Sequence, residues 1–592
     1  MVVDSGQRAD VVNAGIQDRR ESLLKRLALT VAVLLVLATF AAVYYKRAWH
    51  RLDDRNSMDI AQVARNLAEG RGYTTRFVRP FNACLLPPSV GDIQEVNHPP
   101  LAPLATAIIF KIKAPSDESA SQTSLLFTLL TVFATCVLGW VLFDWKVGLL
   151  SASTVGLSAG ILDTGLSANE WPMATLWCVI LLIALARHHS STLADKKRTA
   201  TVYAGLTGVM SVLLYLTNHI LVAFIVPIAL YFAFTRPRRK TDLIVFLVVV
   251  AVLVSPWAYR NLKLTGFPII GISAWDMVAH TDVFPGDTFY RSTAPAHRNQ
   301  LTVILFPIEH FMAWARKLAS RSTEMMSAMA PIFGPVVLAF AVVSMLYRFK
   351  RPTANAVRGA VYAAAPTAFI CFALFSIERD AVMIFAPIVS VFGTAYFMLL
   401  LNAKKLHPFF HKMLVAGFVV AASYQAVFAI VWPPVAVNVP GEQTAYEYFQ
   451  RLGAKGVQAQ IFTDKPWEAA WRTLGTGIWL PLTDSDVAAL SAKGFQMEGI
   501  VLTHESDNYS PDEIWYNLHR VRAWQEYIRD PKAGLAEVLR EAGVDPQDAQ
   551  KVDKYLQRLK RQFAVSQSLR GFVIQPRDPL APDDLQVFLE HE

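Results

Sequence analysis

Long apolar runs recur along most of this chain, and they dictate its solvent. A helix of about 20 apolar residues crosses a bilayer because it satisfies its own backbone polar groups there. Eleven such segments are expected: Leu27–Tyr45, Ser121–Phe143, Val147–Leu162, Glu170–Ala186, Thr199–Thr217, Ile220–Phe234, Leu243–Trp257, Pro331–Leu346, Val357–Phe375, Ala381–Leu401 and Met413–Val431. The chain is 53% hydrophobic and only 17% charged. Soluble domains are about 45–50% apolar. Here the charges fall in blocks between the apolar runs, which is the pattern of an α-helical polytopic membrane protein.

Lys and Arg in short loops stay on the cytoplasmic side. With residues 1–26 read as a cytoplasmic leader, the inner loops are FDWK, ARHHSSTLADKKR, FTRPRRK, YRFKRPTANAVR and NAKKLHPFFHK. All but the first are basic, and the reverse topology would export every one of them. The leader is long and Leu27–Tyr45 is a full span, which favours an uncleaved anchor over a cleaved signal peptide. The same bias explains the net charge of +9, so no nucleic-acid partner is needed. The expected home is a bacterial inner membrane. The cysteines Cys84, Cys136, Cys178 and Cys371 follow no disulfide or zinc spacing.

Eleven crossings place the loop 46–120 and the tail 433–592 outside the cytoplasm. In the loop, Met58, Ala61, Ala64 and Leu67 carry helical spacing over Ser57–Glu69, and Gly70 and Gly72 end it. Leu101–Lys113 is apolar but too short to span, so it reads as an interfacial or re-entrant helix. A second outer loop, 258–330, contains an amphipathic run, Thr302–Leu318. The tail alternates strand-like runs (Val457–Thr463, Gly499–Thr503, Gly571–Gln575) with helical ones (Trp467–Leu474, Asp484–Lys493, Pro511–Tyr527, Pro531–Ala542). That alternation predicts a C-terminal extracytoplasmic α/β domain. Gly475–Gly477 reads as a turn before Trp479.

Chemistry-bearing residues concentrate at outer loop and span ends. Asp59 can serve as a general base, and it equally suits the first turn of a helix capped by Asn56. Adjacent Asp53 and Asp54 can hold a divalent metal cation that balances a phosphate, or can form a solvated boundary. No other cofactor is called for. Arg65, Arg71, Arg76 and Arg79 form a basic series, and Arg is the natural bidentate phosphate ligand. Arg260 sits at a span end beside Trp257, where an unused charge is costly. Glu170 starts another span, and Glu378-Arg379-Asp380 starts a third. His98 precedes two prolines and reads as a turn element or a substrate contact.

These residues resemble the GT-C superfamily of polytopic glycosyltransferases, which includes protein O-mannosyltransferases and lipid A aminoarabinose transferases. The resemblance is carried by ARNLAEGRGYTT (Ala64–Thr75), HPPL (His98–Leu101), LSANE (Leu166–Glu170), PWAYRN with a following GFP (Pro256–Pro268), and the late span carrying Arg379 and Pro387. The pieces match in order and in topological side across roughly residues 27–432. The resemblance implies a polyprenyl-phosphate-sugar donor lipid and an inverting displacement. It also implies an acidic base in the first outer loop, acting on a glycan, lipid or protein acceptor. One departure stands out. Relatives carry the acid about nine positions before the Arg of the ARN run, and here that position is Asn56.

The sequence therefore predicts a membrane glycosyltransferase. Asp59 is the expected base, with Asp54 in reserve or at a metal with Asp53. Arg260 and Arg379 are the expected phosphate contacts, and Glu170, His98 and Arg65 line the substrate site. Two alternatives remain: a non-catalytic GT-C-like accessory protein, marked by Asn56, and a transporter or flippase of lipid-linked sugars. Transporters place charged sites near the bilayer midplane in paired halves, a pattern absent from this sequence.

Overall fold

The structure is a computed structural model. It describes residues 5–87, 93–235, 239–294, 300–375, 378–404, 406–433, 446, 450, 459–496, 499–503, 563–564 and 586–590. Among them, eight helices are long and apolar enough to cross a membrane, and two further helix pairs pass that test as bent units. Ten of the eleven expected spans fall on these, Ile220–Phe234 falls on a shorter apolar segment that does not pass, and four of the eleven are not continuous α-helices, Ala381–Leu401 among them because it opens as the 3-10 turn Arg379–Phe385. Val147–Leu162 becomes Trp145–Gly156 and Ala159–Leu166, bent by 60°. Ile220–Phe234 opens as a 3-10 turn, His219–Phe224, before the helix Ile225–Phe234.

The largest departure is at Pro331–Leu346. The helix Phe311–Phe333 runs through Pro331, and the chain then turns by 110° into Pro335–Met345. Gly334 makes the turn at φ +75°, a left-handed value that glycine adopts without strain, and Pro335 starts the next helix. Hydropathy runs unbroken through this corner, so the apolar pattern alone does not reveal it. The same helix overruns the expected amphipathic run Thr302–Leu318, which divides between Gln300–Glu309 and Phe311–Phe333.

The bundle packs closely where side chains are small. The antiparallel helices Asp117–Leu142 and Trp145–Gly156 meet at Gly139 and Gly148. A Cβ on Gly139 would lie 2.6 Å from the Gly148 Cα. Small residues permit such backbone approach between membrane helices, where dispersion replaces the hydrophobic effect as the driving force. The chief core joins these helices to Trp171, Tyr215, Phe246 and Phe372.

Over one end of the bundle lies the first loop. Asp54 caps the helix Arg55–Ala68: its Oδ2 accepts from the Ser57 N–H at 2.9 Å. Residues 57–66 of that helix are all buried. Gly70 and Gly72, both left-handed, end the segment. The second loop helix, Leu101–Ile112, packs against the first and shares with it the cluster of Met58, Ala61, Ala64, Ala107 and Phe110.

The tail does not stand apart from this loop. A six-stranded sheet runs in the order Phe77–Val78, Thr476–Trp479, Gln460–Thr463, Gly499–Leu502, Gln586–Glu590, Phe563–Ala564. The first three pairings are parallel and the last two antiparallel. Its first edge strand comes from the first loop, so the sheet crosses the expected boundary at 433. The helices Pro466–Arg472 and Asp484–Ala492 form where the sequence predicts them. Gly475–Gly477 is not a simple turn: Gly477 lies within the strand Thr476–Trp479, where a Cβ would collide with the Pro466 carbonyl. The expected elements Gly571–Gln575, Pro511–Tyr527 and Pro531–Ala542 lie outside the described residues.

Replacing Gly139 with Ala is expected to force the two helices apart and cost about 1–3 kcal/mol. The thermal unfolding midpoint in detergent checks this; an unchanged midpoint would show that the pair does not need its close contact.

Candidate active site beneath the first loop

A cavity of about 930 Å³ opens between the loop and the helix ends beneath it. Of the expected site residues, Asp53, Asp54, His98, Glu170 and Arg379 line it. Asp59, Arg65 and Arg260 do not. The reason in each case is a buried structural engagement.

Asp59 is 1% exposed and faces the interior of the loop. Its Oδ2 accepts from Arg79 Nη2 at 2.8 Å and lies 3.0 Å from His98 Nε2. Burial by itself pushes this carboxyl up, but the charges of Arg79 and His98 outweigh it and hold it down at about 2. His98 is pushed down by burial and pulled up more strongly by Asp59, so it ends above its ordinary value. Glu95, also buried, is raised chiefly by burial; its carboxylate accepts from the His98 N–H at 2.9 Å and from the Asn97 N–H.

Arg65 is a clamp. Its guanidinium donates to the carbonyls of Ala470 at 2.6 Å, Trp471 at 2.8 Å and Thr473 at 3.3 Å, holding the tail segment on the loop helix. Arg76 donates to the Leu474 carbonyl, and Arg71 pairs with Glu69 at 2.9 Å. Of the four-arginine series only Arg79 reaches the cavity. Arg260 packs against the rings of Trp257 and Tyr73 and donates to the Glu95 carbonyl, behind the cavity wall.

The lining groups are arranged as follows. Asp54 commits Oδ2 to Ser57, through both N–H and hydroxyl; Oδ1 makes no hydrogen bond among the described residues. Glu170 is held by two amides: Asn56 Nδ2 donates to Oε2 at 2.6 Å and Asn218 Nδ2 to Oε1 at 3.0 Å. Glu378 accepts from the Trp171 indole and Asp380 from Thr164. Arg379 between them is exposed on the cavity, with no ion pair or hydrogen bond among the described residues.

Asp53 and Asp54 do not converge as a metal pair. The Asp53 side chain is 77% exposed, 3.8 Å from His50, while Asp54 turns back to its helix. Among the described residues no three His, Cys, Asp or Glu side chains gather as a metal site. As placed, Asp53 and Asp54 form no two-carboxylate cation site, and no step below passes through a metal ion.

The sequence reading missed the importance of Arg79, Asn218 and His219 at this site. Arg79 carries a signal, as the arginine just before Pro80 after the glycine-ended helix, but its partner Asp59 is 20 residues away and meets it only through the fold. Asn56 stands out only as the position where relatives carry an acid; that it and Asn218 hold Glu170 between them is decided by the fold.

Replacing Asp59 with Asn leaves Arg79 and His98 buried beside a neutral amide, an expected loss of about 3–5 kcal/mol. In the native protein the Asp59 contribution is full above its ordinary value near 4 and is lost as pH falls toward 2. The His98 contribution is full below 6.5 and is lost as pH rises through its raised value. Unfolding midpoints across pH in detergent, with His98→Gln as control, test both signs. An alkaline loss that persists in His98→Gln would contradict the assignment.

No protein-family model matches this chain, and no curated protein matches it by sequence. Solved structures do. The oligosaccharyltransferase of Archaeoglobus fulgidus in its apo form aligns at TM-score 0.53 and 14% identity, covering 83% of this chain and 71% of that one. The same enzyme, AglB, in complex with an inhibitory peptide and a dolichol-phosphate aligns at TM-score 0.52 and 15% identity, with the same coverage. ArnT from Cupriavidus metallidurans, bound to undecaprenyl phosphate, aligns at 12% identity over 81% of this chain and 93% of that one, but at TM-score 0.38, too low to establish a common fold. The chain shares its fold with the A. fulgidus oligosaccharyltransferase.

Proposed function

We propose that this protein is an integral membrane glycosyltransferase that moves a sugar from a polyprenyl-phosphate carrier to a glycan, lipid or protein acceptor on the extracytoplasmic face. The observation that carries the reading is the cavity itself. It sits at the ends of the apolar helices, with Asp54, Glu170 and Arg379 on its wall. A lipid in the bilayer presents its phosphate at that depth while its tail stays among the exposed apolar faces. The complex of AglB with a dolichol-phosphate, on the same fold, supports a lipid-phosphate ligand. The basic inner loops support a cytoplasmic N-terminus and an extracytoplasmic tail.

In this reading Asp54, not Asp59, takes the acceptor proton through Oδ1, because it alone of the two lines the cavity. The acceptor oxygen or nitrogen attacks the anomeric carbon as the bond to the phosphate oxygen breaks, so the configuration inverts. The charge that develops on the leaving phosphate is met by Arg379. Glu170, oriented by its two amides, accepts from sugar hydroxyls. Asp59 is a positioning residue: it aims Arg79 and His98, both on the cavity wall. The A. fulgidus enzyme has been crystallised with Zn and sulfate; in this chain the phosphate charge is assigned to arginine. Asn56 favours one rival, a non-catalytic accessory protein, because it donates to Glu170 where an acid would accept a proton.

Native mass spectrometry of the detergent-purified protein tests the donor site. A polyprenyl-phosphate-sugar is expected to stay bound, and Arg379→Ala is expected to weaken it by about tenfold or more. Asp54→Asn is expected to keep donor binding and slow transfer by about 10²–10⁴. Failure to retain any polyprenyl lipid would sink the transferase reading. Donor retention with transfer indifferent to Asp54→Asn would move the base elsewhere.

A further inference from the structure

We propose that the outward face of the helix Gln300–Glu309, continued by Phe311 and Met312, is seated in the outer leaflet of the bilayer. Part of the second outer loop is then a lipid-bound anchor for one wall of the cavity, whatever reaction the cavity carries out.

The helix is apolar on two opposite faces. Val303 and Phe306 are buried in a cluster with Ile272, Trp275 and Phe289. Helical periodicity puts Ile304, Leu305 and Ile308 on the other side. These three, with Phe311 and Met312 at the start of the next helix, are between 38% and 77% exposed. A helix on a water-facing surface turns polar side chains outward, whereas one that is apolar all round is enclosed by protein or by lipid. A run of exposed aliphatic and aromatic side chains of this kind marks an interaction surface.

The place of the helix in the fold says what covers that surface. The Gln300 side chain at its start lies against Gly266, where a Cβ would come within 1.7 Å of Gln300 Nε2. Gly266, in the left-handed conformation, ends the membrane helix Lys240–Thr265. Along that helix Val248, Val252 and Leu253 are exposed, as a lipid-facing surface requires, and the exposed series ends in Tyr259 and Leu262. Lys263 Nζ lies 4.6 Å from the Tyr259 ring centre. Aromatic and basic side chains with a long apolar body gather at the headgroup level of a bilayer. The helix Gln300–Glu309 therefore starts at the height of the headgroups, beside a surface that already faces lipid.

The apolar stretch is short and sharply bounded. After Met312 the exposed side chains turn mainly polar, with Arg316, Ser320, Thr323 and Glu324, and Arg316 pairs with the exposed Asp282. A crossing needs about 20 apolar residues. This segment has too few, so it lies in the plane of the interface, as amphipathic helices do with their apolar side sunk roughly 5–10 Å into the leaflet. The helix Phe311–Phe333 then continues to the cavity, where Glu324, Ser327, Ala328, Pro331 and Ile332 form part of the wall. Lipid contact at its first turn thus fixes the depth at which that wall sits.

The test uses the full-length protein in nanodiscs of phosphatidylethanolamine and phosphatidylglycerol. In the first arm, a lipid carrying a diazirine near the top of its acyl chain is photolysed, and adducts on the wild type are mapped by peptide mass spectrometry. Adducts are expected on Ile304, Ile308, Phe311 and Met312 and, as the positive control, on Leu262, with none on Arg316 or Ser320. Adducts on Leu262 without any on Ile304, Ile308, Phe311 or Met312 overturn the anchor. In the second arm, nitroxide labels are placed singly through Ile304→Cys, Ile308→Cys and Ser320→Cys, in a protein whose four cysteines are replaced by alanine and whose unfolding midpoint matches the wild type. At Ile304 and Ile308, collision with oxygen is expected to exceed collision with a water-soluble nickel chelate, and at Ser320 the order is expected to reverse. Nickel access dominating at all three positions overturns the proposal, because the face is then in water. Low access to both reagents at Ile304 and Ile308 also overturns it: protein then covers the face, a second copy if labels on two chains couple and the tail if they do not. Should the cysteine-free protein fail to fold, photolabelling of the wild type decides alone.

Discussion

The buried Asp59 carboxylate is the point on which the cavity roof depends. It lies between two basic side chains from separate stretches of the first loop, Arg79 and His98, and it touches neither solvent nor cavity. Each partner alone would be an uncompensated charge in a low-dielectric setting, and each is held only because the third group is present. Since Arg79 and His98 both face the cavity, the ion cluster sets the shape and donor pattern of that wall from behind. A residue that looks like a base in the sequence is, in the folded chain, the fastening of the wall.

The same loop is also where the membrane bundle and the tail become one body. Arg65 binds three carbonyls of the tail, Phe77–Val78 adds a strand to its sheet, and Arg472 returns to Asp117 at 2.7 Å and to the Leu52 carbonyl at 2.8 Å. Arg55, which lines the cavity, packs 4.2 Å from the Trp479 ring centre and pairs with Asp287 at 3.0 Å. A displacement of the tail segment therefore passes directly to the loop residues that form the cavity. The two loop helices are held from above by the tail and from below by the bundle, and this makes a short polar loop rigid enough to carry a site.

Much of the architecture was legible because it follows from one-dimensional signals. Apolar runs locate the ten helices or bent pairs that are long enough to cross a membrane, since a crossing needs about 20 apolar residues in sequence. Glycine pairs locate the end of the first loop helix. Bends were not legible: Gly334-Pro335 and the break at Leu157 interrupt helices without interrupting hydropathy. The site was legible only in part. Asp54 and His98 in the first loop, and Glu170 and Arg379 at span ends, stand out in the sequence and do line the cavity. Arg65 and Arg260 stand out equally and are spent on carbonyls and aromatic rings, because local sequence does not say which way a long side chain turns.

The sequence by itself determined the solvent, the order of the apolar segments and the general neighbourhood of the site. These depend on hydropathy and charge summed over many residues, so individual errors cancel. Only the tertiary structure decided which carboxylate faces the cavity and which arginines are spent on structural ties. Those properties depend on contacts between residues as much as 420 positions apart, such as Leu52 and Arg472. A difference of one side-chain rotation separates a ligand contact from a structural tie, and packing alone settles it.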